Sequence, residues 1–210
     1  MTATRLHLVR HGEVHNPDRV LYGRLPAFHL SADGRRMALA AARHLHDEGR
    51  SVRSLVCSPL ERARESAAPM AETFGLQPVV DARVIEPTNV LEGRRMRQAL
   101  RNPLNWWHLR APGVPSWGEP YLEVVDRMQS AMRDAWNRTP SGGDAVIVSH
   151  QLPIWITHLA VAGLPLRHDP RRRRCALSSV TSFELVGDVW REVAYAEPAH
   201  TSDAVDEGAV

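Results

Sequence analysis

Apolar positions along the chain follow two rhythms, short and largely apolar runs and longer stretches that repeat every three to four residues. The runs at Arg5–Val9, Val52–Ser58, Val79–Ile85 and Ala145–Ser149 are too short for buried helices, and turn-forming residues flank them; they predict strands. The helical rhythm begins at Ser31 and continues to about Asp47, with Met37, Ala38, Ala41, Ala42 and Leu45 as its apolar stripe and Gly49 as its stop. A second helix is predicted from an N-cap at Ser58, with Pro59 in the first helical position and Glu61 at the capping-box position, through Phe74 to Gly75. A third spans Glu119 to Trp136, with Leu122, Val125, Met128, Met132 and Trp136 on one face, and a fourth runs from about Leu152 to Ala162. Ser141–Asp144 reads as a turn. Cys175–Leu185 and Val189–Ala194 alternate around Val186-Gly187-Asp188 as a closing hairpin.

Strand–helix alternation of this kind predicts an α/β fold, a three-layer α/β/α sandwich around a mostly parallel central sheet. The rhythm breaks at 86–121, where Pro, Asn, Gly, the basic group Arg94, Arg95, Arg97 and Arg101, and Trp106, Trp107 and Trp117 accumulate. This segment reads as a lid-like insertion in a single domain over 1–196. From 197 to 210, Ala, Asp, Glu, Ser, Thr and Gly dominate, and a flexible tail is expected.

Composition narrows the classes only modestly. With 26 basic and 24 acidic side chains among 210 residues the net charge is +2, which gives no support to nucleic-acid binding. No apolar run has the length of a membrane span, and no signal-peptide core precedes Arg10 and His11. Cys57 and Cys175 lie far apart on strand-like runs and read as buried thiols. Together these point to a soluble protein of the cytoplasm. His7, inside the first strand, reads as a packed histidine, whereas His15 and His29 fall in the 14–30 loop that drapes over the strand end.

The chemistry sits where predicted strands stop. Arg10-His11-Gly12 with Glu13 follows the first, Ser58 and Arg62 the second, Glu86 the third, and Ser149-His150 the fourth. In an open, mostly parallel sheet these ends share one edge, where ligands bind. Two arginines and two histidines suit a phosphate monoester: guanidinium forks grip its oxygens, and a neutral imidazole can attack phosphorus. A carboxylic acid is then needed for the leaving oxygen, and Glu86 and Glu13 are both placed for it.

Arg10-His11-Gly12, Ser58-Pro59-Leu60-Glu61-Arg62-Ala63 and Ser149-His150 together resemble the histidine phosphatase superfamily, in the branch of phosphoglycerate mutase-like enzymes and broad-specificity phosphatases. The resemblance implies a phosphoglycerate mutase-like fold, with His11 as the nucleophile that becomes phosphohistidine. Arg10, Arg62 and His150 would complete the phosphate pocket, with Asn16 touching the phosphate and Glu86 as the acid. Tyr22, Gly23, Arg24, Arg94 and Arg95, with Trp106 and Trp107, are candidates for the outer, substrate-binding pocket. Arg171–Arg174 is a charge run, read as a solvated loop, an oligomer contact or an anion contact. Only 63 residues lie between Glu86 and His150, fewer than in the mutases of this superfamily, which favours a phosphatase over a mutase-type phosphoryl transferase or a non-catalytic phospholigand-binding module. The implied partner is a small-molecule phosphate ester, with no cofactor, metal, nucleic acid or membrane; a homodimer is compatible with the sequence.

Overall fold

The computed structural model describes residues 3–95, 98, 101 and 118–199. Its six-stranded sheet has the order β3-β2-β4-β1-β5-β6, with β1 at Arg5–Arg10, β2 at Val52–Cys57, β3 at Val79–Val80, β4 at Asp144–Ser149, β5 at Val180–Val186 and β6 at Val189–Ala196. The first four are mutually parallel, and β5 and β6 are antiparallel. Helices α1 (Ala32–Asp47) and α2 (Glu61–Phe74) cover one face; α3 (Tyr121–Arg138) and α4 (Gln151–Val161) cover the other.

Strand β4 shows why its sequence is apolar from Ala145 to Val148. Val146 and Val148 pack with Ala41, Leu45 and Met70 on one side, while Ala145 and Ile147 pack with Val124, Met128 and Met132 on the other. A parallel strand sealed on both faces has no polar side. The predicted stripe of α1 is buried in full, and Ser31 caps that helix by accepting from Gly34 N at 2.9 Å. Gly75, at φ 65°, closes α2 in the left-handed conformation that a glycine adopts without a Cβ clash.

Several elements differ from expectation. The third strand shrinks to Val79–Val80, because Asp81 accepts from Arg83 N at 2.8 Å and turns the chain into a 3₁₀ turn at Ala82–Val84. Helix α2 starts at Glu61 with Leu60 in the cap position and no side-chain cap; Ser58 is engaged elsewhere. Leu122 is 68% exposed, and the buried face of α3 runs instead through Tyr121, Val124, Val125 and Met128. Strand β5 begins at Val180, five residues after Cys175. Both cysteines are buried and form no disulfide. Most of the predicted insertion, with Trp106 and Trp107, and the tail from 200 onward lie outside the described residues. No helix among the described residues is long and apolar enough to cross a membrane.

Asp144 was expected in a turn and instead opens β4, 2% exposed. Its carboxylate accepts from Arg5 N at 2.9 Å and from Arg50 Nε and Nη2 at 2.7 and 3.0 Å, with His7 Nε2 at 3.4 Å. This knot lies at the strand starts, opposite the edge that carries the chemistry. Asp144→Ala strands the partners of a buried charge, so urea unfolding should show a loss of about 3 kcal/mol. A shift below about 1 kcal/mol would mean that the knot is not a stabilising element.

Candidate active site

Parallel pairing brings the strand ends together. Arg10 is in register with Ser149, and Cys57 with Val148, so His11, Ser58 and His150 emerge at one edge. His11 continues the sheet for one residue, donating its N–H to Ser149 O at 3.0 Å and accepting from Ser178 N at 3.2 Å. Gly12 then passes against the start of α1. A Cβ there would lie 2.2 Å from the Gly34 carbonyl oxygen, so this position of the motif needs glycine. Gly12 N donates to Ser66 Oγ at 3.0 Å, and Ser66 Oγ donates to Arg62 O at 2.7 Å, tying the loop to α2.

His11 is 1% exposed, and its Nδ1 lies 2.8 Å from Gly12 O. A carbonyl only accepts, so Nδ1 carries the proton and Nε2 keeps its lone pair. Burial first, and then Arg62 and Arg10, push His11 well below its ordinary value of 6.5, keeping the ring neutral. His150 is also held well below 6.5 by burial and by Arg62. It sits in the cap position of α4, with its ring centroid 5.2 Å from that of His11. Its Nε2 lies 2.7 Å from Ser58 Oγ, which explains why Ser58 does not cap α2.

Arg62, on the first turn of α2, is fully buried; its Nη2 donates to Gly23 O at 2.7 Å and its guanidinium lies 4.7 Å from the centre of the Tyr22 ring. Its Nε and Nη1 have no hydrogen-bond partner among the described residues. Arg10, equally buried, donates through Nη1 to Cys175 O at 2.6 Å. Ser149 Oγ donates to Val84 O at 2.7 Å, fastening the 3₁₀ turn to β4 and bringing Glu86 to His150, Oε2 to Nδ1 at 3.7 Å. Glu86 is 3% exposed, and burial raises its carboxyl above 4.5 against the pull of Arg62 and Arg173. Buried cationic N–H groups without acceptors are costly, and a tetrahedral oxyanion would satisfy them.

The other expected residues are placed differently. Asn16 donates from Nδ2 to Val20 O at 2.8 Å and accepts from Val20 N at 3.2 Å, so both ends of its amide serve the loop. Glu13 accepts from Ser31 Oγ and lines a cleft with His15, Asn16 and Arg19. His29 is held by Glu65, and His7 by Ser182 and Asp144. Arg95 reaches Asp18 O at 2.8 Å, and Arg94 is exposed. Arg24 donates to Glu86 O at 2.5 Å and to Glu119 Oε2 at 3.2 Å.

The charge run contained one group that its sequence did not single out. Arg171 pairs with Asp169 in solvent and Arg174 with Glu192, whereas Arg173 turns inward, donating to His168 Nε2 at 2.9 Å and Gln151 Oε1 at 3.1 Å. Its charge acts on Glu86. Among the described residues no group of three or more His, Cys, Asp or Glu is arranged to hold a metal.

A buried histidine pair flanked by two arginines and a carboxyl, at the strand ends of such a sheet, defines a phosphate-handling class. The model of the histidine phosphatase superfamily (branch 1) matches residues 6–198, and the chain belongs to that superfamily. It is 50% identical over 199 residues to the uncharacterized protein Rv0525 of Mycobacterium tuberculosis (strain ATCC 25618 / H37Rv), covering 93% of this chain and 97% of that one. It is 31% identical over 186 residues to a probable phosphoglycerate mutase GpmB of Yersinia enterocolitica, covering 84% of each. The native structure of the mycobacterial glucosyl-3-phosphoglycerate phosphatase Rv2419c superposes with a TM-score of 0.74 at 26% identity, covering 91% of this chain and 97% of that one. The superfamily and these neighbours indicate a phosphatase or phosphotransferase.

Proposed function

We propose that the protein is a cytoplasmic phosphatase that hydrolyses a small-molecule phosphate monoester through a phosphohistidine at His11, without a metal ion. One observation carries this reading: the His11 Nε2 lone pair shares a buried site with the Nε and Nη1 groups of Arg62, which have no acceptor among the described residues. In the first step Nε2 attacks phosphorus and forms the N–P bond as the ester P–O bond breaks. Glu86, protonated, gives its proton to the leaving oxygen. In the second step water attacks phosphorus, its proton passes to the Glu86 carboxylate, and the N–P bond breaks to release phosphate and neutral His11. Arg10, Arg62 and His150 stabilise the charge on the transferring oxygens in both steps. A dianionic ester also opposes the pull of the arginines on His150 and favours its donation of a hydrogen bond.

The test is a turnover screen of metabolite phosphates with EDTA present, including 3-phosphoglycerate and glucosyl-3-phosphoglycerate, the latter named for the mycobacterial neighbour. Phosphate release from one or a few compounds is the expected result. Isomerised 3-phosphoglycerate without phosphate release would make the protein a mutase. Inhibition by EDTA that added metal reverses would overturn the metal-free mechanism.

A further inference from the structure

Glu86 has little of its own to hold it in place. Its Oε1 has no hydrogen-bond partner among the described residues, and its Oε2 stands 3.7 Å from His150 Nδ1, beyond hydrogen-bond range. It also follows a 3₁₀ turn and precedes Pro87, outside the sheet ladder. Its position over a leaving group must therefore come from its main chain.

That main chain is gripped at two points, at residue 86 and three residues before it. Arg24 Nε donates to Glu86 O at 2.5 Å, and Arg127 Nη1 donates to Arg83 O at 2.5 Å. One carboxylate joins the two arginines: Glu119 accepts from Arg127 Nε and Nη2 at 2.6 and 3.0 Å as a fork, and from Arg24 Nη2 at 3.2 Å. Glu119 is brought there by a backbone bridge between Asn89 and Gly118, so close that a Cβ on Gly118 would lie 2.1 Å from Thr88 O. Arg24 in turn follows Gly23, whose carbonyl holds Arg62 in the phosphate pocket.

We propose that Glu119, with Arg24 and Arg127, is a clamp that positions the proton donor Glu86 against the phosphate pocket. Arg24 is then a positioning residue and not a substrate contact. The inference rests on the reading of Glu86 as the acid. Its signature is selective: a displaced acid slows esters that need their leaving oxygen protonated and spares those that do not. Geometric errors of about 1 Å cost on the order of 100-fold, and a loosened clamp should cost somewhat less.

The experiment compares Arg24→Lys and Glu119→Gln in the full chain on an alkyl phosphate and an activated aryl phosphate, with inorganic phosphate as a competitive probe. The expected result is a kcat loss of roughly 10- to 100-fold on the alkyl ester and under about 3-fold on the aryl ester, with phosphate inhibition unchanged. On a Glu86→Gln background either substitution should cost nothing further. Equal losses on both esters with weakened phosphate inhibition would make these residues substrate or scaffold groups and overturn the clamp. Unchanged kcat would overturn it too. If Glu86→Gln alone lacks leaving-group selectivity, the acid assignment fails; if Glu86→Gln shows it and the clamp variants do not, only the clamp fails. Arg24→Lys keeps its charge at a one-third exposed position, so it remains informative should Glu119→Gln fold poorly.

Discussion

His11→Ala is expected to lower turnover by at least about 10⁴-fold, a barrier increase of roughly 5.5 kcal/mol, while the protein stays folded. The size follows from the role. In His11 the Gly12 carbonyl fixes the proton on Nδ1 and leaves Nε2 its lone pair, whereas the other buried imidazole beside Arg62, His150, has Nε2 against Ser58 Oγ and Nδ1 facing the Glu86 carboxyl. The fold should survive because the main chain of His11, not its ring, completes the bonds to Ser149 and Ser178. Far-ultraviolet circular dichroism and the urea midpoint check the second half of the statement, and phosphate release checks the first. Activity within about 10-fold of wild type would exclude His11 as nucleophile.

Glu86→Gln should have the next largest effect, on the order of 10²- to 10³-fold in kcat for alkyl phosphates and much less for an activated aryl phosphate. The amide keeps the shape of the carboxyl and cannot give up an acidic proton. The pH profile adds a second signature. The acid must be protonated to act, so kcat/KM falls as pH rises through the Glu86 pKa, which burial sets above 4.5. The nucleophile must be neutral, so kcat/KM rises through the His11 pKa, held well below 6.5. Wild type should therefore show a rising limb from His11 and a falling limb from Glu86, and Glu86→Gln should lose the falling limb while keeping the rising one. A variant that retains the falling limb would shift attention to Glu13, the other carboxyl near the motif.

How much of this was legible in the sequence depended on whether the partner of a residue was local. The stripe of α1 and the glycine that ends α2 are local patterns, and the structure reproduces them. The meeting of Arg10-His11, Arg62 and Ser149-His150 was legible as well, because parallel strands must end at a common edge once the apolar runs are placed. Ser58 was misread because Ser-Pro-x-Glu looks like a helix cap, whereas its hydroxyl serves His150, 92 residues away. Asp144 follows two glycines and read as a turn; only the arrival of Arg50 and His7 makes it a core residue. Arg173 lies within four consecutive arginines, where no periodicity marks the one that turns inward. Arg24 was recognisable as a residue near the site but not as a clamp, since its contacts are the main chain at residue 86 and a carboxylate at 119.

The central claim is that phosphate passes through a covalent bond to His11. Wild-type protein mixed with an active phosphate ester, quenched within the first turnover under alkaline conditions and mapped by mass spectrometry, tests it directly. The account predicts one phosphoryl group on the peptide containing His11, labile to acid and absent from His11→Ala. Turnover that proceeds with no trapped phosphoryl group, or with the group on another residue, would contradict it.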